Sequence, residues 1–494
     1  MKNIRLIALL SILLGSVSCS EDEPANETVY TVSFNADGGS PVPAVQSVKS
    51  GEMAIAPTPN PTKAGYVFLF WSLGNATTAY RFQTPVTGHI TLHAKWKSSD
   101  IPVDNIALNK TSLSMYTTDT EQLVATIAPA SALAVSYSTS DKDVAIVNEE
   151  GIVKAVGAGT AVITAAAGNK SAKCTVTVDA SVFVAGHYTY GSSVSKGVLW
   201  KNGKKYEMQD KFYQENYRSV FVYDGDVYVA GERRMGSGSD NPSMPALWKN
   251  GVIQPLENDA EGMAWKVFVS DGNVYVAGRE NFIVANTTNL LGYRAALWKN
   301  GKIQRLTDNQ SGNPDAYSVF VQGNDVYVAG TINGVKHSPA IWKNGQLQRL
   351  SDEQGDVNSI FVSGSDVYAA GSIDGGRRTS NNLPIVVPVM WKNGVLQHLD
   401  EQGYGYANSI YVSGSDVYVA GSGKLFKNGI VQVENENSSF YSVYVHNQHV
   451  YTAGSKKVGN QNAEAVLLKN NEPQELSKDG LQGYSITAYS VFVR

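Results

Sequence analysis

Cysteine is nearly absent: two in 494 residues exclude a disulfide framework. Cys19 lies near the N-terminus. Cys174 stands alone in Lys173-Cys174-Thr175-Val176-Thr177-Val178, a run with strand alternation, and reads as a small buried apolar residue. Long apolar runs are missing beyond the short one at Leu6 to Leu14, which cannot cross a bilayer as a helix. Charge of one sign is missing too. A net charge of −4 with acidic and basic residues scattered excludes the concentrated basic face that nucleic acid requires. No His-Glu-x-x-His, Gly-x-Ser-x-Gly or Gly-x-x-x-x-Gly-Lys-Ser/Thr motif occurs. The seven histidines hold no recurring position, and His446 and His449 flank a hairpin turn as solvated side chains. No catalytic residue, metal ligand or cofactor is therefore assigned.

What is present begins with a targeting segment. Lys2 and Arg5 precede the apolar run, and Ser16-Val17-Ser18-Cys19 follows it. This pattern resembles a bacterial lipobox, which implies lipidation of Cys19 after removal of residues 1–18. The acidic run Glu21-Asp22-Glu23, in a linker over 19–28, resembles the surface-export signal of Bacteroidetes lipoproteins. The resemblance implies an outer-membrane protein, tethered by lipid only and facing the cell exterior.

Residues 29–97 carry Tyr30 to Phe34, the turn signal Ala36-Asp37-Gly38-Gly39, the run Pro61 to Phe68, Trp71, and Ile90 to Trp96. They resemble the Listeria–Bacteroides repeat, the B-repeat of internalins. Phe70 departs from the family, which usually has Gly before the Trp, and puts the local turn in question. Residues 101–179 alternate at period two between turn residues and read as a sandwich on that ground alone. Leu123 to Ile127, Tyr137 to Asp141, Gly151 to Val156 and Gly159 to Thr164 make the segment resemble a bacterial immunoglobulin-like domain of group 2. Tyr137 stands where that family commonly has Trp. Both resemblances imply spacers without catalytic residues.

Residues 180–494 repeat one phrase seven times. An apolar tetrapeptide such as Ser219-Val220-Phe221-Val222 is followed by Asp-Val-Tyr-Val-Ala-Gly, a variable stretch, and Leu-Trp-Lys-Asn-Gly. The Ala-Gly pairs read as strand ends, and Asn-Gly is the strongest short hairpin signal. Four strands per unit and seven units resemble a seven-bladed β-propeller. The first unit lacks its own first strand, and the chain ends on Ser490-Val491-Phe492-Val493-Arg494, a first strand with nothing after it. A ring closed by the C-terminal strand satisfies both orphans. The expected fold class is thus all-β: a small β repeat module, an Ig-like sandwich and a closed propeller. A monomer is expected.

The recurring Trp at Trp200, Trp248, Trp298, Trp342 and Trp391 lies mid-strand and reads as packing between blades rather than as a sugar platform. The residue before each first strand is the better candidate: Arg218, Trp265, Tyr317, Asn358, Asn408, Tyr441 and Tyr489. Aromatic faces stack on sugar C–H faces while amides and Arg bond hydroxyls, so a ring of these types suits a glycan. The loops between second and third strands vary most, notably 279–295 and 372–388, and supply Arg233, Arg234, Arg294, Arg377 and Arg378 as further candidates for an acidic ligand. The expected function is binding of an extracellular glycan, with another protein as the second choice. The competing class is a polysaccharide-active enzyme, which needs two converging carboxylates; Asp315, Asp356 and Asp374 are the candidate acids.

Overall fold

The computed structural model describes residues 28–98, 103–128, 133–190, 194–209, 212–237, 241–257, 261–283, 291–308, 314–332, 337–401, 403–459, 462–481 and 484–494. Cys19 and the acidic run lie outside them. The described residues form forty-one strands and no helix; none of them builds a helix long and apolar enough to cross a membrane. Two compact units divide the chain, one holding residues 120–177 and the segment before 116, the other holding 116–119 and 178–494.

In the first unit, a mixed sheet runs Gln46–Lys49, Val29–Asn35, Ile90–Ser98, Tyr66–Leu73, with Val29–Asn35 parallel to Ile90–Ser98. Asp37 and Gly38 both take positive φ, the expected tight turn. Trp71 is buried against Phe34 and Phe68. No turn forms at Phe70. It pairs with Lys95 inside a strand, beside a bulge at Leu69 that absorbs the bulky residue. Residues 103–177 carry a four-stranded and a three-stranded sheet and a short two-stranded pair. The Tyr137 hydroxyl donates to the Leu123 carbonyl and accepts from the Ala125 amide, so the phenol links two strands at the position of the family's Trp. Cys174 is fully buried.

The second unit holds seven four-stranded antiparallel sheets. Sheet one comprises Val182–Tyr190, Val194–Lys201 and Lys204–Tyr206, and its fourth member is the C-terminal strand Ser485–Val493, which pairs with Val182–Tyr190. Sheets two to seven follow in sequence order, each opening on its own first strand: Gln214–Tyr223, Gly262–Ser270, Asp315–Gln322, Gly355–Ser363, Ala407–Ser413 and Ser438–His446. An apolar core lies between each sheet and the next, and a further one joins sheet seven to sheet one. The five recurring Trp are at most 1 % exposed and sit in these cores.

The repeated phrase has a physical basis in each sheet. In sheet two, Asn250 and Gly251 adopt the positive φ of a tight hairpin. The Asn250 side chain accepts from the Val227 amide and donates to Asp226. Lys249 pairs with the second oxygen of Asp226 and lies over the Tyr228 ring. Asp, Tyr, Lys and Asn of the two motifs are thus one cluster, repeated around Asp325, Asp366 and Asp416. His449 takes the place of Asp in sheet seven and meets Asn470 in the same way.

Candidate functional site

The Ala-Gly pairs do not end the second strands, except at Gly421; the strands run on, as in Asp226–Arg234. They mark a bulge instead. Ala230 pairs with Ser219 and Gly231 with Tyr217, which leaves Arg218 as an extra residue on the first strand. The same skip leaves out Trp265, Tyr317, Asn358, Asn408, Tyr441 and Tyr489. The candidate residues therefore sit inside the first strands rather than before them. Glycine is required opposite each bulge because a Cβ on Gly231 would overlap the Asn216 carbonyl oxygen, and equivalent overlaps arise at the other six. A bulge bends its strand and re-aims a side chain, and here seven of them do so at one level.

All seven bulge residues line one cavity of about 250 Å³, and each is half-buried. Neighbours touch along its wall. Tyr441 and Tyr489 rings lie 4.9 Å apart, and Trp265 and Tyr317 rings 5.7 Å apart. The Arg218 guanidinium sits between the Tyr489 ring at 4.7 Å and the Trp265 ring at 5.2 Å, and is paired with Glu232 at 3.1 Å. Asn358 and Asn408 donate to the Ala407 and Phe440 carbonyls of the following sheets. Their side-chain oxygens accept from no described residue, so the amides offer acceptors beside the aromatic rings. His187 stacks 5.3 Å from Tyr489; burial and then Arg218 hold it down to about 4, so it is neutral at physiological pH.

One layer deeper, the residue after each bulge is Ser, except at Lys266. Ser219, Ser318, Ser359, Ser409, Ser442 and Ser490 each accept from a backbone amide of the next sheet, at 3.1 to 3.3 Å. Two residues further on, the same strand face carries Phe221, Phe268, Phe320, Phe361, Tyr411, Tyr444 and Phe492. Each of these rings lies 4.7 to 5.0 Å from the next, and Phe492 returns to Phe221 at 4.7 Å. This aromatic layer lies beyond the Ser positions, and none of its rings lines the cavity.

The five arginines read as loop residues are elsewhere. Residues 279–283 and 291–295, and most of 372–388, are long hairpin arms, because antiparallel pairing continues past the glycine. Arg233 lies over the Phe212 ring and Arg234 bonds Ser243. Arg294 pairs with Glu280 and covers Phe282. Arg377 bonds the Gly403 carbonyl, and Arg378 pairs with Asp374. None of them lines the cavity, and each has a partner in its own structure.

Asp315, a candidate acid by sequence, supports Trp265, a contact that no local pattern signals. Its carboxylate accepts from the Trp265 indole at 2.8 Å and from Arg279 at 3.0 Å while almost fully buried. Burial pushes this carboxyl up to about 6, against the pull of Arg279 and Trp265. A folded value above the ordinary 3.8 means that the charged form is the one the fold disfavours. The stability contribution is complete below that ordinary value and lost as pH rises through about 6, to the extent of about 3 kcal/mol. In thermal unfolding followed against pH, wild type is expected to lose stability relative to Asp315→Asn between about pH 4 and pH 6. Parallel curves would contradict this assignment.

Residues 30–95 match the model of the Listeria–Bacteroides repeat domain, and residues 102–178 that of the bacterial Ig-like domain, group 2. No curated protein matches the chain. Among solved structures, the extracellular domain of a putative hybrid two-component system from B. thetaiotaomicron is 12% identical, with a TM-score of 0.34. That match covers 55% of this chain, which spans only 37% of the other's length. Native arabinanase Arb43A of Bacillus subtilis is 9% identical over 52% of this chain and 95% of its own, with a TM-score of 0.29. The β-propeller domain of the Trilobed protease from Pyrococcus furiosus is 9% identical over 76% and 97%, also at 0.29. Likenesses this slight leave the chemistry of residues 180–494 to be read from those residues themselves.

Proposed function

We propose that residues 180–494 are a seven-bladed β-propeller closed by the C-terminal strand, and that its central cavity binds an extracellular carbohydrate. Closure is supported by a count. A linear stack of seven sheets has six interfaces, whereas seven apolar cores occur. The cycle of seven aromatic rings that returns to its start supports it again. Residues 29–97 and 101–179 serve as spacers, and Cys19 is the lipid anchor at the outer surface.

The carbohydrate reading rests on the convergence of the seven bulge residues. Bulges are frequent next to active sites, where they re-aim a side chain, and here all seven re-aimed side chains line one cavity. Four aromatics, two amides and an arginine around one half-open cavity combine stacking faces with hydroxyl partners. At about 250 Å³ the cavity lies just below the range of pockets for drug-sized ligands, about 300 to 1,000 Å³, which suits a single sugar ring. A carbohydrate array probed with the purified protein tests this. Tyr441 has the fewest ties to its neighbours, so Tyr441→Ala is expected to weaken the array's best ligand about tenfold to a hundredfold with the melting point unchanged. Equal binding by this variant would remove the cavity from the account.

A second reading, a polysaccharide-active enzyme, is favoured by one observation. Asp315 and Asp356, on neighbouring sheets, are both pushed up by burial, and the charge of Asp356 adds to the rise at Asp315. Carboxylates with raised values are what a general acid requires. Neither lines the cavity, and Asp315 is held by Trp265 and Arg279, so binding ranks first. New reducing ends appearing when the array's best ligand is incubated with wild type, and absent with Asp356→Asn, would reverse that order.

A further inference from the structure

Lys266 breaks a sevenfold pattern. At six positions around the cavity a Ser accepts the amide of the adjoining sheet. At the seventh stands a lysine, which has no acceptor to offer Val319. The fold forgoes a hydrogen bond there and gains a cation on the cavity wall. The Lys266 ammonium meets no hydrogen-bond or ion-pair partner among the described residues, whereas the cavity's other cation, Arg218, is already paired with Glu232. No carboxylate lines the cavity; the remaining titratable groups on its wall are the phenols of Tyr317, Tyr441 and Tyr489. A half-buried cation without a counter-ion is disfavoured, and burial lowers Lys266 to about 8.

We infer that Lys266 is the anion-recognising group of the cavity, and that the ligand is an acidic sugar whose negative group pairs with it. The inference rests on the carbohydrate reading above and narrows its ligand class. Stacking by the bulge aromatics holds the ring, and the ammonium one layer deeper meets a carboxylate or sulfate carried on it. A compact ammonium with three rotatable donors accepts either anion without the fixed fork geometry of arginine.

The test compares three matched probes on the whole protein: a glucuronate-terminated oligosaccharide, a sulfated one, and their neutral glucose counterpart. A charge-assisted bond in a partly enclosed site predicts at least about a tenfold preference for an acidic probe over the neutral one. Whichever acidic probe wins identifies the anion. Lys266→Ser restores the hydrogen bond present at the other six junctions, so its melting point is expected to equal or exceed that of wild type. It is expected to abolish the preference while leaving neutral binding within about twofold. A measurement on wild type needs no variant: the preference is expected to fade as pH rises through about 8, where the free amine loses its proton. Equal affinity for acidic and neutral probes would overturn this inference and leave the carbohydrate reading standing. A preference that survives in Lys266→Ser would also overturn it. Failure to bind any carbohydrate would overturn both.

Discussion

Deletion of Ser490 to Arg494 is expected to leave a protein that aggregates or melts far below wild type. These residues supply the pairs Val182↔Val493 to Ala185↔Ser490 in sheet one. Their loss exposes an unpaired strand edge, which invites association with other chains. Val491, Phe492 and Val493 are all buried. Burial of three such side chains contributes about 5 to 8 kcal/mol, on the scale of the whole net stability of a domain. Phe492 touches both Phe221 and Tyr444, and Ser490 holds the Val220 amide, so sheets two and seven lose a partner together. Soluble yield and circular-dichroism melting measure the effect. A truncated protein as soluble and as heat-resistant as wild type would mean that the C-terminal strand does not close the array.

The second large effect concerns Trp298, which belongs to the core between sheets two and three. It is 1 % exposed, and its indole donates to the Glu257 carbonyl at 3.0 Å. Trp298→Ala leaves a cavity and an unpaired carbonyl, and is expected to cost about 3 to 5 kcal/mol. The contrast with Tyr441→Ala is the informative part: one aromatic carries stability, the other binding. Denaturant unfolding of both variants beside wild type shows the split. A Trp298→Ala protein with an unchanged midpoint would remove the recurring Trp from the core.

Much of this was legible because local chemistry dictated it. Asn250-Gly251 reads as a hairpin since few residue pairs accept positive φ twice. The Trp reads as core because it lies mid-strand in the third strand of its unit. Aligning the repeats also grouped Arg218 with Tyr489 and the five residues between them. The bulge that delivers them was not legible. Ala-Gly looks locally like a strand end, and only pairing with a partner strand shows that the glycine makes room for a carbonyl. The arginines misled for a similar reason. Arg294 and Arg378 read as ligand candidates because the pairing that continues their hairpins, and so brings Glu280 and Asp374 to them, is invisible in composition. Lys266 gains meaning only against the six Ser hydrogen bonds.

The proposed sugar site is built by seven bulges around one cavity. A crystal structure of the protein soaked with the array's best carbohydrate tests it most directly. The account predicts sugar density inside the cavity, stacked on at least one of Trp265, Tyr317, Tyr441 and Tyr489, with the anionic group beside Lys266. Sugar density on another surface, with the cavity holding only water, would contradict it.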